Sequence, residues 1–230
     1  MTGALNTLTV YPDMDQRSDE WYEARRGIVT ASAVGALLSP TLRVASNDTS
    51  RSLTRLLVAE RITGRVVPTF TSDAMMRGIL DEPLARDLYS ETYAPVTESG
   101  FMVRELSAGT RLGYSPDGLV EDDGLIEIKS AEPKIHLARV LGARIDHGHM
   151  AQMQAGLLVS GRDWCDYISY CGGMPMYRRR VTVDPAWTEA ITEAVEVFES
   201  NVYYMLEAYE RAVEYLPLTE YIDHFAEIEV

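Results

Sequence analysis

Two cysteines, Cys165 and Cys171, are all that the 230-residue sequence contains. That is too few for a four-cysteine zinc or iron–sulfur centre. A pair so close in sequence could form a disulfide only across a sharp reversal, so free thiols in or near a core are expected. No apolar run approaches the roughly 18 residues needed to span a membrane. Met1 to Val10 lacks a basic segment followed by an apolar one, so no secretory signal is read there and cytoplasmic residence is expected. The four histidines, His136, His147, His149 and His224, match no metal-binding spacing; His147 and His149 are read as loop or helix-start residues. Lysine is nearly missing: 19 of the 21 basic residues are arginine, which leaves only Lys129 and Lys134. Lysine is a compact point charge with a tunable pKa, so each one carries some information.

Positive charge is also in short supply. The net charge is −14, and on that figure alone the chain reads as an acidic protein that never meets DNA. The surplus is unevenly placed, however. From Asp184 to Val230 there are twelve acids and one base, Arg211, whereas the first 183 residues are close to neutral. A near-neutral body can still carry a local basic groove for phosphates.

Hydrophobic residues make up 46% of the chain, as in soluble globular proteins, and the length suits one domain with a sizeable core. Glu20 to Leu38 has helical spacing broken at Gly27, with Thr30 or Ser32 able to cap a second short helix. Ser39 to Ser50 reads as a loop and Arg51 to Ile62 as an amphipathic helix ending near Gly64. Thr71 to Tyr89 reads as a helix with Pro83 at a bend or start. Tyr93 to Val103 and Thr110 to Tyr114 look extended. Leu119 to Glu121 and Leu125 to Lys129 flank the turn Asp122-Asp123-Gly124. Ile135 to Ser160 returns to helical spacing with an interruption near Gly148. Trp164 to Tyr170 and Met176 to Val183 are strands. Asp184-Pro185 then starts a helix reaching about Tyr215. This order predicts an α/β chain with helices packed on a mixed sheet, one domain with a core over about 17–183 and an acidic C-terminal helical extension over about 184–230.

The chemistry concentrates in Ser115-Pro116-Asp117-Gly118 and Glu127-Ile128-Lys129. The turn between them folds Glu127 back toward Asp117. Glu127 and Lys129 share one strand face, while Ile128 points into a core with its carbonyl free to act as a ligand. Two carboxylates and an ammonium at one point suit Mg2+ or Mn2+ and a water made nucleophilic by the ion. The same residues also fit a plain Pro-Asp-Gly turn and a surface Glu-x-Lys ion pair.

Four blocks in order settle the preference. They are Trp21-Tyr22-Glu23-Ala24-Arg25 with Gly27-Ile28-Val29-Thr30-Ala31-Ser32; Gly78 to Glu82; the Ser115–Leu119 and Glu127–Lys129 pair; and His149-Met150-Ala151-Gln152-Met153-Gln154. Together they resemble the phage lambda-exonuclease or YqaJ-type viral recombinase family of PD-(D/E)xK nucleases. The resemblance runs from about Trp21 to about Val183. It implies a restriction-endonuclease-like α/β core and a 5′-to-3′ exonuclease on double-stranded DNA ends, releasing 5′-mononucleotides and leaving a 3′ tail for strand-annealing recombination. It implies two Mg2+ ions, with Mn2+ as a possible substitute, held by Asp117, Glu127, the Ile128 carbonyl and Glu82. Lys129 would position the attacking water and Gln152 the phosphate. Arg25, Ser32 and Ser115 would hold the 5′-phosphate. A homotrimeric ring around the DNA and a phage single-strand annealing protein as partner also follow from the resemblance, and nothing in it involves a membrane.

Some residues stay open between readings. Met75 and Met76 read as helix core, with a wedge at the terminal base pair as the alternative. Arg178-Arg179-Arg180 would either touch the DNA backbone or balance the acidic helix. Gln154 reads as structural. A PD-(D/E)xK endonuclease and a non-catalytic DNA-end binding protein are the competing functions. The complete Asp117, Glu127, Lys129 set speaks against the second.

Overall fold

A computed structural model describes residues 7–66, 72–107 and 109–222. The expected helix start at Thr71, His224 and the last residues of the C-terminal extension lie outside them. The strands form two sheets. One, in the order β1-β4-β5-β2, is built from β1 (Leu8–Tyr11), β2 (Val29–Thr30), β4 (Phe101–Ser107) and β5 (Thr110–Tyr114). The other, in the order β3-β6-β7-β8-β9, is built from β3 (Val96–Thr97), β6 (Gly118–Val120), β7 (Gly124–Ser130), β8 (Trp164–Tyr170) and β9 (Tyr177–Thr182). Both are mixed: β2 runs parallel to β5, β7 runs parallel to β8, and the other ladders are antiparallel.

The register of β7 decides where the chemistry faces. Leu125, Glu127 and Lys129 lie on the side of Cys165, Tyr167 and Ser169, their partners on β8. Ile126 and Ile128 turn to the other side, where α4 (Asp73–Thr92) packs with Ala85 and Tyr89 against Val120, Trp164 and Ile168. On the first side lie α6 (His147–Ser160) and α7 (Pro185–Val213), which join both sheets in the main core. At Gly156 of α6 the helix rides directly on the Tyr114 ring. A Cβ there would sit 2.7 Å from that ring, closer than packed atoms tolerate.

The remaining helices are α1 (Asp19–Arg25), α2 (Ala31–Val34), α3 (Asp48–Thr63) and α5 (Pro133–Val140). The elements depart from the sequence reading in places. α3 starts three residues before Arg51, because Asn47 and Ser50 cap it reciprocally, and the preceding loop is correspondingly shorter. The helical stretch after Ile135 breaks at 141–146 rather than at Gly148, which lies inside α6. Pro83 lies well inside α4, not at its start.

Asp184 caps α7, accepting from the Ala186 amide at 2.9 Å. The helix buries Ala190, Ile191, Ala194, Val195, Phe198 and Val202 along one stripe, while Glu189, Glu193, Glu196, Glu210 and Glu214 face solvent. The inner stripe belongs to the core, so deleting the helix would remove packing along with charge. Phe198 is 1% exposed. Phe198→Ala is expected to cost about 3–5 kcal/mol of unfolding free energy, read as a lower urea midpoint at an unchanged slope. Both cysteines are buried free thiols, as expected. Among the described residues, no helix is long and apolar enough to cross a membrane.

Candidate active site

Asp117 stands just before β6 and Glu127 lies in β7, and the short turn between the strands brings them together. The Ile128 amide donates to Asp117 Oδ2 at 2.6 Å, which pins the aspartate to the strand carrying the glutamate. Lys129 Nζ donates to Glu127 Oε1 at 2.6 Å and to Gln152 Oε1 at 3.0 Å. A residue of α6 thus joins the group that the hairpin assembles. The structure brings together Asp117, Glu127, Lys129 and Gln152. Glu82, on α4, belongs with them electrostatically and adds its charge to the field on Glu127.

The electrostatics are out of balance. Glu127 is completely buried, and its second carboxyl oxygen, Oε2, has no hydrogen-bond partner among the described residues. Burial first, and then the charge of Asp117, push its pKa up to about 8 despite the pull of Lys129. Burial and Asp117 raise Glu82 to about 7, against the pull of Arg86. Asp117 is itself raised by burial, against Lys129, the Ile128 amide and Arg86. Burial works against the charge on Lys129, but Glu127 and Asp117 outweigh it and hold the ammonium above its usual range. Three carboxyls therefore share Lys129 and Arg86, with a weaker pull from Arg17 on Glu82.

Among the described residues, no three Asp, Glu, His or Cys side chains already enclose a metal position. Glu82 turns its Oε1 to Arg86 at 2.5 Å, and Arg86 also donates from Nε to the Asp117 carbonyl at 2.8 Å. The donor set nonetheless fits a hard divalent cation: oxygen ligands in carboxylate excess, with one buried oxygen left unpaired. Such an ion would be held by Asp117 and Glu127, with Glu82 and the Ile128 carbonyl beside them.

A second group lies near the same hairpin. The Arg25 guanidinium stacks 3.8 Å over the Trp21 ring, and Trp21 Nε1 donates to Ser115 Oγ at 2.9 Å. Ser32 follows the end of β2 and Ser115 the end of β5, at the same end of two parallel strands. Ser32 Oγ lies 3.2 Å from Thr30 Oγ1. Burial lowers Arg25 to about 10, so it stays charged at neutral pH. The turn after Arg25 is clamped from α3. The Gly27 amide donates to the buried Glu60 at 2.9 Å, and Arg61 Nε donates to the Gly27 carbonyl at 2.6 Å. Arg61 in turn makes a bidentate pair with Glu199 of α7 at 2.7 and 2.8 Å. Gly27 has φ +65°, and a Cβ there would meet Arg61 Cγ at 2.4 Å, so glycine is required on both counts.

Two open readings each lose one alternative. Met75 and Met76 are 50% and 48% exposed and are not helix core. Arg178 and Arg180 do not balance the acidic helix. Both bind the fully buried Asp166, Arg180 through two bonds of 2.9 Å, and stack on Tyr93 and Trp164. Gln154 is structural, bridging the Thr182 carbonyl and the Asp184 amide. Sequence reasoning missed Arg86 and Trp21. The Glu82–Arg86 spacing, four apart on a helix, was a legible signal for the first. Only the tertiary contact with Ser115 marks the second.

The chain matches known proteins over most of its length. Residues 20–163 fit the sequence model of the YqaJ-like viral recombinase domain. A crystal structure described as an alkaline exonuclease, LHK-Exo from Laribacter hongkongensis, is similar at 31% identity with a TM-score of 0.76, covering 87% of this chain and all of that one. The crystal structure of LHK-Exo in complex with dAMP gives 32% identity and a TM-score of 0.77 over the same shares. A phage-related exonuclease from Haemophilus somnus shares the fold alone, at 14% identity and a TM-score of 0.60, over 79% of this chain and 96% of that one. No curated protein matches the chain significantly.

Proposed function

The chain belongs to the YqaJ-like viral recombinase domain family and has the α/β PD-(D/E)xK fold of its structural neighbours; from that premise we propose that it is a Mg2+-dependent exonuclease that removes 5′-mononucleotides from one strand of duplex DNA, from the 5′ end, and leaves a 3′ single-stranded tail. The observation that carries this reading is the unpaired, fully buried Glu127 oxygen beside Asp117 and the Lys129–Gln152 pair. A nuclease with a divalent ion has a use for that excess of carboxylate, and a folded scaffold without one does not. The bound ion, Mg2+ or Mn2+, supplies a water of lowered pKa and neutralises charge on the phosphate.

The remaining roles fall to side chains. Asp117, Glu127, Glu82 and the Ile128 carbonyl hold one or two ions. Lys129, fixed between Glu127 and Gln152, orients the attacking water, and Gln152 aligns the phosphate. Arg25 meets the 5′-phosphate with charge-assisted hydrogen bonds, and the Ser32 and Ser115 hydroxyls complete the pocket. The relative's complex with dAMP, a nucleoside 5′-monophosphate, supports a product of this kind. Family membership supports a homotrimeric ring around the duplex and a single-strand annealing protein as partner.

The test uses linear duplex with and without a 5′-phosphate, and a covalently closed circle, each incubated with protein and Mg2+. The linear phosphorylated duplex should be degraded from its 5′ ends and the circle left intact. Cutting of the circle would replace this reading with an endonuclease. Arg25→Ala is expected to reduce the preference for phosphorylated ends by about tenfold or more, since a charge-assisted contact to a phosphate dianion is lost.

A further inference from the structure

Trp21 is buried in a small core with Ile28 and Phe101, and its ring meets Tyr22 edge-on with centroids 5.0 Å apart. Two groups from different parts of the chain rest on it. The Arg25 guanidinium, one helical turn further along α1, lies 3.8 Å over its face, and its Nε1 donates to Ser115 Oγ at 2.9 Å. The loop that carries Ser115 is tied a second time, by Gln16 Nε2 donating to the Pro116 carbonyl at 3.3 Å. One rigid ring thus places a cation and a hydroxyl that are far apart in sequence.

Both groups have donors left over. An indole N–H can only donate, so Ser115 Oγ is the acceptor in that bond and keeps its own hydrogen. Among the described residues the Ser115 hydroxyl has no other partner, so that hydrogen is committed to no protein acceptor there. The Arg25 guanidinium makes no hydrogen bond or ion pair among the described residues. Glu60 reaches it by charge alone, with Oε2 spent on the Gly27 amide. Arg61, Arg86 and Arg180, by contrast, each bind a carboxylate. A cation and a hydroxyl hydrogen, held by the same ring and both without an acceptor, fit a ligand that is negatively charged and all acceptor.

We propose that Trp21 is the positioning residue of the 5′-phosphate site: its face holds the Arg25 guanidinium, and its N–H turns the Ser115 hydroxyl so that the serine meets the phosphate as a donor. The inference rests on the exonuclease reading above and adds the device that makes the pocket selective for a dianion. The indole does not itself touch the phosphate, because its single N–H is taken by Ser115. A serine with a free oxygen can face a ligand as donor or acceptor, whereas one whose oxygen already accepts from an indole favours donating. A 5′-hydroxyl end brings no charge to Arg25 and gains little from the pair.

The test measures kcat/KM on 5′-phosphorylated and on 5′-hydroxyl linear duplex with Mg2+ and reads the ratio of the two. Trp21→Phe keeps a ring under Arg25 and loses the N–H, so the ratio should fall about fivefold, through a raised KM on the phosphorylated duplex. Ser115→Ala should lower it at least as much, and adding Trp21→Phe to Ser115→Ala should lower it by less than about twofold more. Trp21→Leu removes the ring face as well and should lower the ratio further than Trp21→Phe. An unchanged ratio in Trp21→Phe overturns the inference. So does a fully additive loss in the double variant, or an equal loss on both duplexes with a lowered Tm, which would mark a packing role. A second measurement needs no tryptophan variant. The indole N–H resonance that Ser115→Ala displaces in the NMR spectrum should also move when wild-type protein binds 5′-phosphorylated duplex in EDTA, and not when 5′-hydroxyl duplex is added; a resonance blind to the phosphate overturns the inference. A wild-type protein with no preference for phosphorylated ends overturns the proposed pocket and this inference together; a wild-type preference that Trp21→Phe leaves intact overturns this inference alone.

Discussion

Asp117→Asn is expected to lower the rate of duplex digestion by at least about a thousandfold while raising the Tm of the metal-free protein. The activity loss follows from the position of the carboxylate. Asp117 and Glu127 are the two acids that the hairpin brings together, and removing one charge weakens the hold on an ion worth several kcal/mol to the transition state; about 1.4 kcal/mol is a factor of ten. The stability gain follows from the same crowding. The Asp117 charge is, after burial, the largest influence raising both Glu127 and Glu82. An asparagine removes that repulsion, and its side-chain oxygen can still accept from the Ile128 amide that holds the aspartate now. Digestion assays beside thermal melts in EDTA separate the two effects. Digestion within tenfold of wild type would remove Asp117 from the chemistry, and a lowered Tm would show that its role is structural.

A comparably large effect concerns pH and metal together. Glu127 is raised to about 8 and Glu82 to about 7 in the folded protein, from ordinary values of 4.5. Below the ordinary value both the folded and unfolded chains hold these protons, and the stability they confer is fully present. As pH rises, the unfolded chain releases protons that the folded one retains, so stability falls until pH passes about 8. Asp166 opposes this at the acid end. Burial raises it, but Arg180, Tyr89 and Arg178 together hold it below its usual range, so its contribution is lost as pH falls. In EDTA the Tm should therefore peak in mildly acid solution and decline toward about pH 8. Excess Mg2+ should lift the Tm strongly at about pH 8 and little at about pH 5, because the ion must displace protons from the carboxyls it binds. Equal metal shifts at both pH values would dissociate the acids from ion binding. Metal removal at alkaline pH is then the condition in which the protein is least stable.

How much of this was legible beforehand depended on how local each feature is. Asp117, Glu127 and Lys129 could be placed from residues alone, because one tight turn and the two-residue alternation of a strand fix their relation. Glu82, Gln152 and Arg25 come from α4, α6 and α1. No spacing rule connects those helices to the hairpin, so only the family resemblance picked them out. The division of the strands into two sheets lay beyond both routes, since strand order is a long-range property. The arginines of β9 show the same limit. Their pairing with Asp166 requires the β8–β9 register that sets Asp166 opposite Arg180, and nothing near either residue announces it. His149 was set aside because its spacing fits no metal site. Its contact with the Tyr167 hydroxyl becomes visible only when β8 and α6 are seen together.

The clamp on Gly27 extends the reach of the final helix. Glu199 grips Arg61, Arg61 grips the Gly27 carbonyl, and the residue before that turn's first position is Arg25. This acidic helix, which carries none of the proposed chemistry, is thus geared to the residue proposed to meet the strand terminus. Any force that shifts this outer rod, such as a neighbouring molecule leaning on its acidic flank, would be transmitted inward to the turn that sets Arg25 for the contact proposed for it.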